Sequence, residues 1–164
     1  MASGAKLLGH PIHQMLIPLP LGVLSMAVIF DIIQLATGQR VWSLSAYYMI
    51  IAGVIAGLVA AVFGLIDWLA VGGGTRAKRI GAWHGIGNVV VVVLFAASWF
   101  MRRALPDAPS GGALVLSFAG AIVALVTGWL GGELVDRLAV GVDDGANPNA
   151  PSSLKGPVPG TRAG

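Results

Sequence analysis

The stretch from Leu44 to Val71, LSAYYMIIAGVIAGLVAAVFGLIDWLAV, decides the fold of this chain. It is 28 residues long, and its only charged residue, Asp67, stands close to its end. A helix of this length would measure about 42 Å, whereas the hydrocarbon core of a bilayer is about 30 Å thick. The stretch therefore predicts a transmembrane helix.

Three further apolar runs have the same character, and they cover residues 12–36, 83–101 and 113–135. The segments that connect the four runs are short, which makes consecutive helices antiparallel neighbours. The sequence predicts an all-α integral membrane protein, a four-helix up-down bundle spanning residues 1–142. Residues 143–164 are rich in Gly, Pro, Asn and Ser, and we expect them to form a disordered cytoplasmic tail.

The overall composition agrees with a membrane location. Hydrophobic residues make up 56% of the chain and charged residues only 10%, with a mean hydropathy of +0.84, whereas a soluble domain carries about 25% charged residues. The net charge is +3, and the basic residues stand in short loops between the apolar runs. A nucleic-acid-binding protein would instead cluster them on one face, interleaved with aromatic residues, so the pattern argues against a nucleic-acid partner. The absence of cysteine excludes disulfides, iron–sulfur clusters and c-type haem attachment.

The basic residues also predict the orientation of the bundle. More of them flank the membrane at the end that carries the N-terminus (Lys6, Arg76, Lys78, Arg79 and Arg137) than at the other end (Arg40, Arg102 and Arg103). Loops rich in Lys and Arg stay in the cytoplasm. We therefore expect a multi-pass protein with both termini cytoplasmic.

The two halves of the chain resemble each other. The segment 67–72 matches the segment 136–141 at five of six positions, and Ile12-His13 is echoed by Trp83-His84. The pattern predicts a duplicated helical hairpin, with the two copies related by an axis along the membrane normal. The alternative is a chance match among abundant apolar residues.

Polar residues gather at one end of the predicted bundle. All three histidines stand near the starts of the odd-numbered helices, with Asn88 one turn after His84, and the even-numbered helices end in carboxylates. An up-down bundle brings these ends into one layer on the cytoplasmic side. Ionisable groups in membrane spans are costly, so they are candidates for a functional site. The residues are His10, His13, His84, Asn88, Asp67, Glu133 and Asp136.

Three main interpretations of this layer remain open, beside a role in substrate binding or proton relay. In the first, His13 and His84 are the axial ligands of one haem b, with His10 and Asn88 in support, since facing helices of a four-helix bundle can supply two imidazoles. In the second, His10, His13, His84 and Asp67 hold a divalent transition metal. In the third, the side chains only cap helices and no cofactor is bound.

These interpretations lead to different functions. The first two describe a small electron-transfer subunit that works with a redox partner or as a homo-oligomer, and the third describes a structural or accessory membrane protein. The sequence contains no Gly-x-Ser-x-Gly, phosphate loop or dinucleotide fingerprint, so enzyme activity is not expected. Asp31, near the far end of the first helix, is predicted to form an interfacial ion pair with Arg40, Arg102 or Arg103.

Several motifs resemble a bacterial membrane family known as domain of unknown function 2231. They are His10-Pro11-Ile12-His13 with the following prolines and Phe30-Asp31, Ala82-Trp83-His84-Gly85 through Asn88, and Gly131-Gly132-Glu133-Leu134-Val135. The resemblance covers residues 9 to 142, and it implies a four-helix protein of the bacterial inner membrane with a suspected redox or haem role. Family members often carry Tyr-Arg-His where this chain has Asp136-Arg137-Leu138, so a histidine ligand at that position would be missing here.

Overall fold

The protein was analysed as a computed structural model, which describes residues 3–155. In this part of the chain four helices are long and apolar enough to cross a membrane, which confirms the prediction of an all-α bundle. A hairpin of two short strands, β1 (Lys6–Leu7) and β2 (His10–Pro11), precedes them. The four spans are Ile12–Thr37, Arg40–Ala70, Arg76–Arg102 and Gly111–Arg137.

Two of the spans are not single regular α-helices. The first consists of α1 (Ile12–Leu16) and α2 (Pro18–Thr37), because the prolines that follow Ile17 have no amide to donate to the preceding turn. The second and third spans are α3 (Arg40–Ala70) and α4 (Arg76–Arg102). The fourth is α5 (Gly111–Gly132), which continues as one turn of π-helix over Glu133–Arg137.

The helices extend beyond the apolar runs of the sequence. The third span begins at Arg76 and not at residue 83, because Thr75 caps it by accepting a hydrogen bond from the Lys78 amide at 3.1 Å. The second begins at Arg40 and not at residue 44. A helix satisfies its own backbone hydrogen bonds, so it can continue through the headgroup region after the apolar sequence ends. The basic residues Arg76, Lys78 and Arg79, which the sequence placed in a loop, therefore belong to the first turn of the third span.

The bundle is held together by close packing of apolar and small residues. Each span packs along the next, and the fourth also approaches the first, so the first and third spans face each other diagonally across the centre. Gly53 and Gly120 allow Leu24 and Phe95 to pack directly against the neighbouring backbones; an added Cβ would come within 2.6 and 2.9 Å of those side chains. Small residues permit such close helix contacts in lipid.

One ion pair crosses the centre of this bundle at the end opposite to the histidines. The Arg102 guanidinium donates two hydrogen bonds of 2.7 Å, one to each carboxylate oxygen of Asp31. Ser117 of the fourth span donates to Asp31 at 3.1 Å, and Ser98 accepts from the Arg102 Nε at 3.2 Å. Asp31 and Arg102 are both fully buried.

The predicted ion pair of Asp31 is therefore formed with Arg102, one of its expected partners, and it is buried inside the bundle. Side chains lean toward the N-terminus of their helix, so Arg102, the last residue of the third span, points back into the bundle. Asp31 stands six residues before Thr37, the end of the first span, which is about 9 Å of helix. Arg40 pairs instead with Asp107 on the exposed surface.

This pair gives a stability prediction. Replacing Arg102 with Met leaves the Asp31 carboxylate buried without its partner, and we expect the loss of about 3 kcal/mol or more of unfolding free energy in detergent. The double variant Asp31→Leu/Arg102→Met removes both charges and should recover most of that loss. Arg103→Met is the matched control, since Arg103 is exposed and lies over the aromatic rings of Trp99 and Phe100. Equal losses in Arg102→Met and Arg103→Met would contradict the assignment.

Candidate functional site

His13 is fixed against the second span by a hydrogen bond from its ring nitrogen Nδ1. Its Nδ1 lies 2.8 Å from the carbonyl oxygen of Ala60. A carbonyl can only accept, so this nitrogen carries a proton, and Nε2 is the ring nitrogen that would carry a lone pair in neutral imidazole. The ring lies against Gly64, one turn after Ala60, where an added Cβ would come within 2.7 Å of the ring carbon Cε1.

His84 is held in the same way against the fourth span. Its Nδ1 lies 2.8 Å from the carbonyl oxygen of Thr127. Gly131, again one turn after the accepting residue, faces the ring, and an added Cβ would lie 3.1 Å from Cε1. Both hairpins therefore use the same arrangement: a histidine on the odd span, and on the even span a backbone carbonyl followed four residues later by glycine.

The two histidines differ at the second ring nitrogen. The side-chain amide of Asn88 donates to His84 Nε2 at 3.1 Å, and its oxygen accepts from the Thr127 hydroxyl at 3.2 Å. With the Nδ1 bond, these contacts form a closed ring of hydrogen bonds among His84, Asn88 and Thr127. The first hairpin has Ile17 where the second has Asn88, so among residues 3–155 His13 has no equivalent amide partner.

The two accepting carbonyls lie at the same distance from the ends of their spans. Ala60 and Thr127 each precede the last residue of their span, Ala70 and Arg137, by ten positions, or about 15 Å of helix. The even spans contain 31 and 27 residues and are therefore longer than the roughly 30 Å hydrocarbon core.

The other residues predicted for this site are engaged elsewhere. His10 is exposed, and its Nε2 contacts the Ser153 hydroxyl at 3.2 Å. Asp67 accepts hydrogen bonds from the Ser3 hydroxyl and the Ala5 amide, and so holds the N-terminal segment against the second span. Glu133 forms an ion pair with Arg76. Within residues 3–155, no group of three or more His, Cys, Asp or Glu side chains is arranged to hold a metal ion.

The segment after the fourth span lies over the N-terminal hairpin. Lys6 donates to Asp143 at 2.9 Å, and this hydrogen bond, with the positive charge of Lys6, holds the pKa of Asp143 below its ordinary value. A short 3₁₀-helix, Ser153–Lys155, reaches His10. Residues 156–164 of the predicted tail lie outside the described residues, and its disorder stays a prediction.

Four residues of this arrangement were missed by the sequence reasoning, namely Ala60, Gly64, Thr127 and Gly131. Backbone acceptors leave no sequence signal, because any residue has a carbonyl. The sequence repeat also does not align the two acceptors with each other. Its matched acidic residues, Asp67 and Asp136, are 69 positions apart, whereas the accepting carbonyls of Ala60 and Thr127 are 67 positions apart. Asp67 is in regular α-helix and Asp136 is in the π-turn, which shifts the two ends relative to each other.

The fold and these motifs can now be compared with known proteins. A family described as "Predicted membrane protein (DUF2231)" matches residues 9–144. The chain belongs to this family. No curated protein and no solved structure matches it. The match begins just before the first histidine and extends past the fourth span, so the DUF2231 region includes both histidine arrangements and the Asp31–Arg102 pair.

The glycine contacts give a second prediction. In Gly64→Ala the new methyl group would displace the His13 ring and weaken its bond to the Ala60 carbonyl, at a cost of about 1–3 kcal/mol of stability. The ¹⁵N chemical shifts of the imidazole should report the loss of the fixed Nδ1–H tautomer. Gly128→Ala is the matched control, because no atom lies near its added Cβ, and it should be neutral or slightly stabilising. Unchanged His13 shifts in Gly64→Ala would contradict the packing described.

Proposed function

We propose that this DUF2231 protein is a small membrane subunit for electron transfer, in which His13 and His84 are the axial ligands of one haem b. The observation that carries the proposal is the paired anchoring of the two imidazoles. Each is fixed through Nδ1–H to a backbone carbonyl, and the two lie near the same end of diagonally opposite spans. Histidine ligands are commonly oriented in this way, with Nε2 left for the metal.

The number of available ligands favours haem over a metal ion held by protein alone. A zinc site takes three or four protein ligands, whereas a bis-histidine haem takes two, since the porphyrin supplies the other four nitrogens. His10 and Asp67 are occupied by Ser153 and the N-terminal segment, and residues 3–155 contain no three-residue cluster of suitable ligands. The metal interpretation would require His10 and Asp67 to leave these partners. Bound haem would supply one-electron chemistry.

One contact supports a different candidate function, that of an accessory membrane protein without a cofactor. Asn88 donates to His84 Nε2, so both nitrogens of this ring already have partners, and the imidazole can serve as a polar connection between the third and fourth spans. For His84 to act as a ligand, the Asn88 amide has to turn away. Asn88 therefore distinguishes the two functions.

The spectral prediction concerns protein expressed in haem-replete cells and purified in detergent. Wild type should show a Soret band and the sharpened reduced bands of low-spin haem. Changing either His13 or His84 to Ala should abolish them, since each supplies one axial nitrogen. His10→Ala is the matched control, and it should weaken or shift the bands at most, because His10 is exposed and contacts Ser153.

Asn88→Ala separates the two candidate functions. Under the haem proposal it removes a competitor for His84 Nε2 and should leave the bands intact or stronger. Under the accessory function the wild-type protein is colourless, and Asn88→Ala only lowers stability by about 1 kcal/mol through its lost hydrogen bonds. Colourless wild-type protein from haem-replete cells would refute the haem proposal, whereas a bound metal ion that is lost in His10→Ala would favour the metal site.

We also propose that both termini lie in the cytoplasm of a bacterial cell, so that the histidine layer is on the cytoplasmic side. The excess of basic residues at that end supports it, and three of them (Arg76, Lys78 and Arg79) belong to the first turn of one span. Topology reporters fused after Gly164 should give a cytoplasmic signal, and reporters inserted at Gly112 a periplasmic one. The reverse pattern would invert the protein and move the histidine layer to the other side.

A further inference from the structure

A basic cleft lies at the histidine end of the bundle, on its outer surface between the second and third spans. It measures about 360 Å³ and is lined by Trp68, Gly74, Thr75, Lys78, Arg79 and Ala82. The cleft shares no residue with the histidine arrangements. Its position beside the ends of two membrane spans places it at the level of the lipid headgroups.

One cation of this cleft is used by the protein itself. The Lys78 ammonium donates to the carbonyl oxygens of Trp68 and Leu69 and lies 3.9 Å above the centre of the Trp68 ring. It thereby neutralises the carbonyl end of the second span, where the helix dipole would otherwise repel an anion. The Trp68 indole donates in return to the Lys78 carbonyl at 3.0 Å, which fixes this wall of the cleft.

Arg79 is the cation that remains available. Its side chain is exposed and has no ion-pair partner within residues 3–155, whereas the neighbouring Arg76 is paired with Glu133. An arginine fork can bind two oxygens of one phosphate group. The cleft therefore presents a fixed Lys78, a free Arg79 and an interfacial tryptophan to whatever lies in the headgroup layer.

The surface below Arg79 continues as an unbroken apolar stripe toward the bilayer centre. Residues at the spacing of one helix face follow it, and all are exposed: Trp83 at 60%, Ile86 at 56%, Val90 at 41% and Val93 at 59%. From Arg79 to Val93 the stripe is about 21 Å long. Its order of cation, interfacial indole and aliphatic side chains follows the order of phosphate, glycerol and acyl chain in a phospholipid.

We propose that this cleft and stripe bind one anionic phospholipid, with its phosphate at Arg79, beside the fixed ammonium of Lys78, and an acyl chain along Trp83, Ile86, Val90 and Val93. The shared chemistry is that of a phosphate group, which a free phosphate ion could also supply. The apolar stripe favours the lipid, because an acyl chain can pack along a surface that extends from the headgroups to the bilayer interior, whereas a free phosphate ion cannot. The site is independent of haem binding.

The test uses the full-length protein in nanodiscs of mixed phosphatidylglycerol and phosphatidylcholine, with the retained lipid identified by native mass spectrometry. Wild type should retain phosphatidylglycerol in preference to phosphatidylcholine. In Arg79→Gln this preference should fall about fivefold, the effect of one basic residue at an anionic surface. Arg103→Gln is the control, since it removes the same charge from an exposed arginine at the opposite end of the third span.

Each other outcome contradicts the proposal. Equal losses in Arg79→Gln and Arg103→Gln would mean that only the total charge of the protein matters. An absence of preference in wild type would remove the site. Displacement of phosphatidylglycerol by excess inorganic phosphate would show that the cleft takes free anions and not a lipid.

Thermal unfolding of both variants in the same nanodiscs checks that the fold is intact. A further variant, Trp83→Ala, removes the indole and leaves both charges, so it should shorten lipid retention without reversing the headgroup preference.

Discussion

The buried pair of Asp31 and Arg102 is the constraint on which the arrangement of the spans depends. A charge inside a membrane protein is tolerated only with a partner, and here each charge finds its partner on the diagonally opposite span. Because the guanidinium binds both carboxylate oxygens, the pair fixes rotation as well as distance. Ser117 adds the fourth span to the same network. Apolar packing alone would allow the helices to slide or rotate at small cost, since lipid is as apolar as their side chains.

The bundle thus has polar connections near both ends and apolar packing between them. At one end the Asp31–Arg102 pair joins the two hairpins to each other across the centre. At the other end each histidine joins the two helices of its own hairpin. The middle relies on contacts such as those of Leu24 and Phe95 with the glycines opposite them.

The sequence predicted a bundle of four membrane-spanning helices and the family correctly, because bilayer thickness, hydropathy and short loops leave few alternatives. It also included Arg102 among the partners of Asp31 and paired Asn88 with His84, since i and i+4 share a helix face. Helix ends were misjudged where a cap such as Thr75 extends the helix into polar sequence. The accepting carbonyls could not be predicted, because their identity depends on helix rotation, and rotation is set by packing that no local pattern records.

The difference between the two hairpins bears directly on the candidate site. If the histidines served only to connect helices, both Nε2 atoms would be expected to have partners, because an unsatisfied polar atom in the membrane is costly. His84 meets this expectation through Asn88, but no amide occupies the corresponding position beside His13, where the chain has Ile17. A structural role therefore accounts for both ring nitrogens of His84 and for Nδ1 of His13. A ligand role accounts for His13 and requires the Asn88 amide to turn away from His84. Because of this asymmetry, Asn88 competes with a ligand role of His84 and supports a helix-connecting role of the same ring.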